Sequence, residues 1–218
     1  MTKSKIFIVD DHPLVREWLT TLIDQTTDLV VCDGAEDAQS ALKGIARSHP
    51  DLAIIDLSLG GDSGIDLIRV IREQFPKVAM VVLSMHDERV YAERSIRAGA
   101  RGYIMKREST KKVVDAIRQV LQGNVYLSKE LTELFAQKFI SGGTGGDASP
   151  ISQLSDRELE VFRFIGQGYE TREIAETLQV NIKTVQTYCT RIKDKLNLSS
   201  GAELLREAIR WNDTSLVR

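Results

Sequence analysis

The chain has 218 residues, of which 42% are hydrophobic and 28% charged, and its formal net charge at pH 7 is −2. This composition is that of an ordinary globular protein and excludes disordered and fibrous classes, while the length favours two domains over one. The small net charge excludes a protein coated throughout with nucleic acid, but it permits one locally basic domain.

The sequence shows no pattern that would take the chain into or across a membrane. No apolar run approaches the roughly 20 residues that span a bilayer. The start, MTKSKIFIVDD, turns acidic too early for a signal peptide. We therefore expect a cytoplasmic protein without membrane contacts. Cys32 and Cys189 fall in different predicted domains, so we expect reduced thiols and neither a disulfide nor a zinc site.

Short apolar runs alternate with amphipathic stretches between residues 5 and 122. The predicted strands are KIFIVD, LVVCD, DLAIIDL, VAMVVLS and GYIMK, and the clearest helices between them are PLVREWLTTLID and SGIDLIRVIREQF. Strands that are apolar on both faces need helices on both sides of a parallel sheet. The pattern therefore predicts an α/β fold, a doubly wound five-stranded parallel sheet rather than a barrel.

The segment after this repeat links two domains. A further helix, SKELTELFAQKF, precedes SGGTGGDASP, which holds no residue large enough to form a core. We divide the chain into a first domain over 1–125, a helix and flexible linker over 126–150, and an all-α domain over 151–218. Treated as a flexible coil, the ten linker residues would span about 17 Å, so the domains could dock or separate.

Polar side chains gather where the predicted strands end. Asp10 and Asp11 close the first strand and Asp56 the third, while Ser84 and Lys106 close the fourth and fifth. Two like charges about 4 Å apart repel by about 4 kcal/mol at an effective dielectric of 20, so a cation should lie among the carboxylates. Mg²⁺ fits best because it prefers oxygen ligands. With Tyr103 nearby, the set suits transfer of a phosphoryl group onto an aspartate.

Each of these residues also has a plainer explanation. An aspartate often ends a strand because it favours turns, a serine is a common cap, and a tyrosine is often only packed. A magnesium-dependent phosphatase with an aspartyl nucleophile would need similar groups. Such enzymes carry a motif that resembles DxDGT, in which one strand supplies both the nucleophile and the acid. In this chain the acidic pair and Asp56 lie on separate predicted strands. We therefore do not expect an enzyme.

The stretches IFIVDDHPLVREWL, LAIIDLSLGGDSGIDLI and VVLSMHDERVYAERSIRAGARGYIMK resemble the CheY-like receiver domain of the NarL/FixJ response regulators. The resemblance implies that Asp56 accepts a phosphoryl group from a sensor histidine kinase and that Asp10, Asp11, Asp56 and the Ser58 carbonyl hold Mg²⁺. It also implies that Lys106 pairs with the phosphoryl oxygens, and that Ser84 turns towards them and lets Tyr103 swing inward. Many relatives have proline where this chain has Gly60, which suggests a looser loop and an altered hydrolysis rate.

Residues 151–218 show four helical patterns and no strand pattern. Ser155 and Glu158 form a capping box for the first helix, which should end at Gly166 or Gly168. The short TREIAETLQV and the longer IKTVQTYCTRIKDKL, with Asn181 as its cap, predict a helix-turn-helix. The longer helix is cationic, although a solvated basic face on a helical bundle would look the same by charge alone.

This region resembles the LuxR-type helix-turn-helix through LSDRELEV, ETREIAETLQV, KTVQTYCTRIKDKLNL and SSGAELLREAIRW. The resemblance implies binding to double-stranded DNA, with two sets of contacts in the longer helix. The residues expected to face the groove are Gln186, Thr187 and Thr190, and those expected at phosphates are Lys183, Thr184, Arg191 and Lys195. Relatives often carry lysine and histidine where this chain has Gln186 and Tyr188, so no target sequence can be carried over.

The last helical pattern offers a surface for a homodimer. Leu204, Leu205, Ala208 and Ile209 share one side, although such a helix could equally serve only the core. A dimer would place two recognition helices at half-sites about 34 Å apart. RNA polymerase is a further possible partner. Two regulatory hypotheses stay open: phosphorylation unmasks the recognition helix or alters dimerisation, or DNA binding does not depend on the receiver's phosphorylation.

Overall fold

The computed structural model describes residues 3–140 and 150–216. The chain divides into two compact units with a boundary at residues 142–143, and each unit is described by itself. Most of the predicted linker, residues 141–149, lies outside the described residues. In the part of the chain that the structure describes, no helix is both long and apolar enough to cross a bilayer.

The first unit alternates strands and helices as the apolar pattern predicts. Its elements are β1 (Ser4–Val9), α1 (Pro13–Asp24), β2 (Leu29–Ala35), α2 (Ala38–Ser48), β3 (Leu52–Ile55), β4 (Ser58–Leu59), β5 (Asp62–Ser63), α3 (Gly64–Gln74), β6 (Ala79–Ser84), α4 (Glu88–Ala98), β7 (Gly102–Met105), α5 (Thr110–Leu121) and α6 (Lys129–Ile140). Pro13 occupies the first turn of α1, where its missing N–H costs nothing.

Five of these strands form one parallel sheet in the order β2-β1-β3-β6-β7. Val9 pairs with Ile55 and Ile55 with Val82, so these strands end at the same level of the sheet. The predicted doubly wound sheet is therefore confirmed. The structure adds an antiparallel pair, β4 with β5, that the sequence did not predict.

Helices cover both faces of the sheet because side chains on each strand alternate in direction. Ile6 and Ile8 of β1 belong to a buried cluster with Leu19 of α1 and Ile117 of α5. Phe7, between them, turns to the other face, where its ring lies against α2. A Cβ atom at Gly44 would come within 2.6 Å of that ring, so only glycine permits this close packing.

The second unit consists of helices in its described residues. A 3₁₀ turn over Pro150–Gln153 precedes α7 (Asp156–Gly166), α8 (Thr171–Thr177), α9 (Ile182–Leu196) and α10 (Gly201–Leu216). The capping box of Ser155 and Glu158 is present, and the Asn181 side chain caps α9. The buried core includes Phe162, Val185 and Ile192. The four predicted helices are confirmed.

Candidate functional site

The three predicted carboxylates meet at the carboxyl edge of the sheet. Asp10 directly follows β1 and Asp56 directly follows the neighbouring strand β3. Both residues are buried, at 2% and 5% exposure. One ligand atom each from Asp10, Asp11, His12 and Asp56 lies within 4.8 Å of the others. The parallel pairing of β1 and β3 brings these groups together, because it places both strand ends at one edge.

Lys106 supplies the positive charge that the crowded carboxylates require. Its Nζ lies 2.6 Å from Oδ2 of Asp10 and 2.7 Å from Oδ2 of Asp56. Its backbone N–H donates to the carbonyl of Ser84, which holds the end of β7 beside the end of β6. Burial alone would lower the pKa of Lys106, but Asp56 and Asp10 outweigh it and raise that pKa. The ammonium therefore remains charged between the two carboxylates.

Asp56 is held in one orientation from both of its oxygens. Oδ1 accepts the N–H of Leu57 at 2.7 Å, and Oδ2 accepts Lys106. Burial raises the pKa of Asp56; Lys106 opposes this increase and the nearby Asp10 adds to it. The carboxylate is thus a desolvated group beside a fixed cation, which suits a nucleophile for an anionic phosphoryl group.

The acidic cluster also suits a divalent cation. Oδ1 of Asp11 is buried and accepts no hydrogen bond. Nδ1 of His12 lies 2.7 Å from it, but no hydrogen bond joins the two atoms. A buried carboxylate oxygen without a donor is expensive, and a hard cation would satisfy it. The residues therefore fit Mg²⁺.

Ser84 and Tyr103 meet through a residue that the sequence analysis missed, His86. The hydroxyl of Tyr103 donates to the His86 carbonyl at 2.9 Å, and the His86 N–H donates to Oγ of Ser84 at 3.2 Å. Tyr103 is 1% exposed, so the ring occupies the inward position. Burial raises the pKa of its hydroxyl well above the usual value, which keeps the hydroxyl a donor.

Ser58 lies two residues after Asp56, at the start of the β4–β5 hairpin. Its Oγ is 2.8 Å from Nε2 of His86. This contact joins the loops that follow β3 and β6 at the carboxyl edge of the sheet. Gly60 and Gly61 form the hairpin turn with φ values of 52° and 116°, a backbone that favours glycine. The β4–β5 ladder closes this loop by pairing Leu59 with Asp62, and a loop looser than that of relatives with proline stays a prediction.

Gly64 is a second residue near Asp56 that the sequence analysis missed. A Cβ atom at this position would overlap the carbonyl oxygen of Asp56, and the Gly64 N–H donates to the carbonyl of Leu57 at 2.9 Å. The first turn of α3 thus packs directly on the backbone of Asp56. A glycine eight residues after the central aspartate was the only signal in the sequence.

The candidate nucleic-acid interface is the outward face of α9. Val185 and Ile192 are buried beneath it, while Lys183, Gln186 and Arg191 are exposed. Thr187 and Thr190 are exposed too, but their hydroxyls donate to the carbonyls of Lys183 and Gln186 one turn earlier. The two threonines therefore offer a methyl group and an acceptor oxygen, whereas the Gln186 amide can both donate and accept.

The other predicted contacts of this region divide between surface and core. Thr184 is partly buried in the first turn of α9. The Lys195 ammonium lies 2.6 Å from a carboxylate oxygen of the buried Glu158. In α10, Leu204 and Ala208 are buried at 4% and 0%, whereas Leu205 and Ile209 are each 42% exposed. Only Leu205 and Ile209 of the four apolar side chains thus retain a substantial surface for another subunit.

Comparison with known proteins identifies the family of each unit. Residues 6–118 match the family described as the response regulator receiver domain, and residues 152–208 match the bacterial regulatory proteins of the luxR family. The oxygen regulatory protein NreC of Staphylococcus carnosus is 37% identical over 94% of this chain and 97% of its own length. NreC of Staphylococcus epidermidis is 35% identical with the same coverage.

Solved structures give the same result. RcsB of Salmonella enterica serovar Typhimurium, bound to promoter rprA in the presence of phosphomimetic BeF3−, is 25% identical with a TM-score of 0.61, covering 94% of this chain and 98% of that one. A LuxR-family two-component response regulator from Aurantimonas sp. is 31% identical with a TM-score of 0.59, covering 64% of this chain and 99% of its own.

Proposed function

As the chain belongs to the LuxR family of two-component response regulators, we propose that phosphorylation of Asp56 by a sensor histidine kinase controls its binding to double-stranded DNA. One observation carries the proposal: the buried Asp56 carboxylate lies 2.7 Å from Lys106 at the carboxyl edge of the sheet. The alternative, DNA binding that does not depend on phosphorylation of the receiver, does not explain why these charged residues are buried together.

Each receiver residue has a distinct role in this proposal. A carboxylate oxygen of Asp56 attacks phosphorus, and the bond between phosphorus and the donor nitrogen breaks with its electron pair on that nitrogen. The Lys106 ammonium offsets the charge of the phosphoryl oxygens. Ser84 contributes its hydroxyl, and the inward Tyr103 transmits the altered hydrogen bonding through His86, to which both are bonded.

Asp10, Asp11 and Asp56 would hold Mg²⁺, together with the carbonyl of Ser58. When bound, this ion neutralises the oxygens of the transferring phosphoryl group. Asp10 and Asp56 also share the ammonium of Lys106. The same carboxylates thus serve both to bind the ion and to fix the lysine.

In the second unit we propose that α9 enters the major groove. Gln186, Thr187 and Thr190 would face base edges, and Lys183, Thr184 and Arg191 would contact phosphates. Exposed Leu205 and Ile209 of α10 would join two copies into a homodimer on DNA. RcsB has been solved bound to a promoter and as two dimers on two parallel DNAs, which supports the binding of DNA by a dimer. We further propose a cytoplasmic location and a contact with RNA polymerase.

Labelling by acetyl phosphate in the presence of Mg²⁺ tests the phosphorylation site. We expect the wild type to be labelled and Asp56→Asn to lose the label. Asp62→Asn is the matched control, because Asp62 is an exposed carboxylate in the adjacent hairpin. Undiminished labelling of Asp56→Asn would place the phosphoryl group elsewhere.

DNA affinity with and without beryllofluoride tests the coupling between the two units. The DNA is a duplex that the wild type selects from a randomised pool. We expect beryllofluoride to raise the affinity of the wild type for this duplex and to leave the affinity of Asp56→Asn unchanged. Such a result would support unmasking of the recognition helix, altered dimerisation or both, and sedimentation of the same samples separates these. Equal affinity with and without beryllofluoride would favour a receiver that does not control DNA binding.

A further inference from the structure

A single carboxylate oxygen connects three segments of the second unit. Oε2 of Glu158 accepts the N–H of Ser155 at 2.7 Å, which completes the capping box of α7. The same oxygen accepts Nζ of Lys195, from the last turn of α9, at 2.6 Å. Nζ of Lys195 also donates to the carbonyl of Gln153, in the turn before α7. The start of α7 and the end of α9 are thus joined through one buried group.

The burial of Glu158 decides what its lysine partner can do. Glu158 is 2% exposed, so its charge depends on the ammonium that lies against it. Removal of one partner from a buried ion pair leaves the other charge desolvated and uncompensated. If Lys195 turned outward to a phosphate, it would leave Glu158 in that state. The Lys195 side chain is 38% exposed, and Lys183 and Arg191 of the same helix are exposed too, so what distinguishes Lys195 is its contact with the buried Glu158 and not its own burial.

The contact between Lys195 and Glu158 lies at the end of α9, far from the side chains proposed to read the DNA at its start. Lys195 is next to the last residue of α9, and Lys183 lies twelve residues earlier, about 18 Å along the helix. A small change of angle at the Lys195 end therefore moves the exposed Gln186 and Lys183 by a larger distance. Direct readout of base edges depends on such placement, because it requires aligned hydrogen bonds.

We propose that Lys195 is a positioning residue, which fixes the direction of α9 through the buried carboxylate of Glu158 and neutralises no phosphate. This role rests on the proposed binding of DNA and revises the phosphate contact that the family resemblance implied for Lys195. It makes Glu158, which touches no DNA, a determinant of affinity. Lys195 and Glu158 then act as one unit.

The salt dependence of DNA binding separates positioning from phosphate contact. The full-length chain with beryllofluoride is titrated onto the duplex that the wild type selects from a randomised pool, between 50 and 200 mM salt, which is roughly the range over which phosphate contacts are resolved. Lys195→Met and Glu158→Gln should each weaken binding about fivefold or more, and the double variant no further, because the pair is coupled. The slope of log K against log salt should equal that of the wild type.

Two matched variants calibrate the measurement. Lys183→Met removes a proposed phosphate contact from the same helix, so its slope should become shallower by about 0.9. Lys195→Arg keeps a cation that reaches Glu158, so it should restore most of the affinity. Stoichiometric titration gives the active fraction of each variant, and Trp211 fluorescence reports packing, since the Trp211 ring lies 5.8 Å from Phe162 of α7.

The outcomes are distinct. A slope that becomes shallower by about 0.9 in Lys195→Met, with Glu158→Gln binding as well as the wild type, would assign Lys195 to a phosphate and overturn the proposal. Normal affinity of Lys195→Met at every salt concentration would overturn it as well. If the wild type selects no duplex at all, the failure lies in the proposed DNA binding.

Discussion

The ammonium nitrogen of Lys106 lies 2.7 Å from Oδ2 of Asp56, in a region where both side chains are at least 90% buried. The same nitrogen lies 2.6 Å from Asp10, so one cation compensates two buried carboxylates. The stability of the receiver and its chemistry thus depend on the same charge.

Replacement of Lys106 by methionine should destabilise the receiver. Two buried carboxylates would lose their cation, and breaking a buried ion pair costs about 3 kcal/mol or more. Urea unfolding in EDTA measures the free energy of unfolding. Lys112→Met is the control, because Lys112 pairs with Glu108 on the exposed surface. Added Mg²⁺ should recover more stability in Lys106→Met than in the control, and equal stability of the two variants in EDTA would contradict the compensation.

Replacement of Gly64 by alanine should disturb the phosphorylation site without removing any of its functional groups. The new methyl group would overlap the Asp56 carbonyl, and such overpacking costs about 1–3 kcal/mol. We expect lower stability and slower labelling by acetyl phosphate. Gly201→Ala is the control, since a Cβ atom there has no neighbour within 4 Å. Labelling of Gly64→Ala at the rate of the wild type would show that α3 can shift at no cost.

Replacement of Gln186 by alanine should relax the sequence preference of DNA binding. Of the three residues proposed to face the groove, Gln186 is the one whose exposed amide can form paired hydrogen bonds with one base, a contact that discriminates by about 1–3 kcal/mol. Thr190→Val should have a smaller effect, because its hydroxyl already donates to the Gln186 carbonyl. Competition between the selected duplex and single-base variants measures both. Unchanged discrimination in Gln186→Ala would exclude this residue from base readout.

The contribution of Glu158 to stability should depend on pH. Burial would raise the pKa of Glu158, but the bonds from Lys195 and Ser155 outweigh it and lower that pKa below 4.5, its ordinary value. A carboxyl group with a lowered folded pKa stabilises the fold above its unfolded pKa, and this contribution is lost as pH falls through the folded pKa. Wild type and Glu158→Gln should therefore differ in stability at pH 7 and converge in acid.

Trp211 fluorescence in a Trp18→Phe background follows unfolding of the second unit alone, because Trp18 and Trp211 are the only tryptophans of the chain. Glu176→Gln is the control, because Glu176 is an exposed acidic residue of α8 that pairs with Arg172 on the surface. A difference between wild type and Glu158→Gln that grows as pH falls below 4.5, the ordinary value, would contradict the lowered pKa.

Local patterns in the sequence determined much of this protein. Apolar runs placed the sheet strands, because strands buried on both faces must be apolar throughout. Ser155 with Glu158 placed the start of α7, because capping acts within one turn. The gathering of Asp10 and Asp56 also followed from sequence, since neighbouring parallel strands end at one edge.

Only the tertiary structure decided how these groups are shared. Lys106 between two carboxylates, Tyr103 against His86, and Lys195 against Glu158 all join residues far apart in the chain. The periodicity that identifies a helix or strand fixes which face a residue occupies. It does not fix the distance to a group on another element, which depends on how the elements pack, and the buried charges of Asp10, Asp56 and Glu158 are paired over those distances.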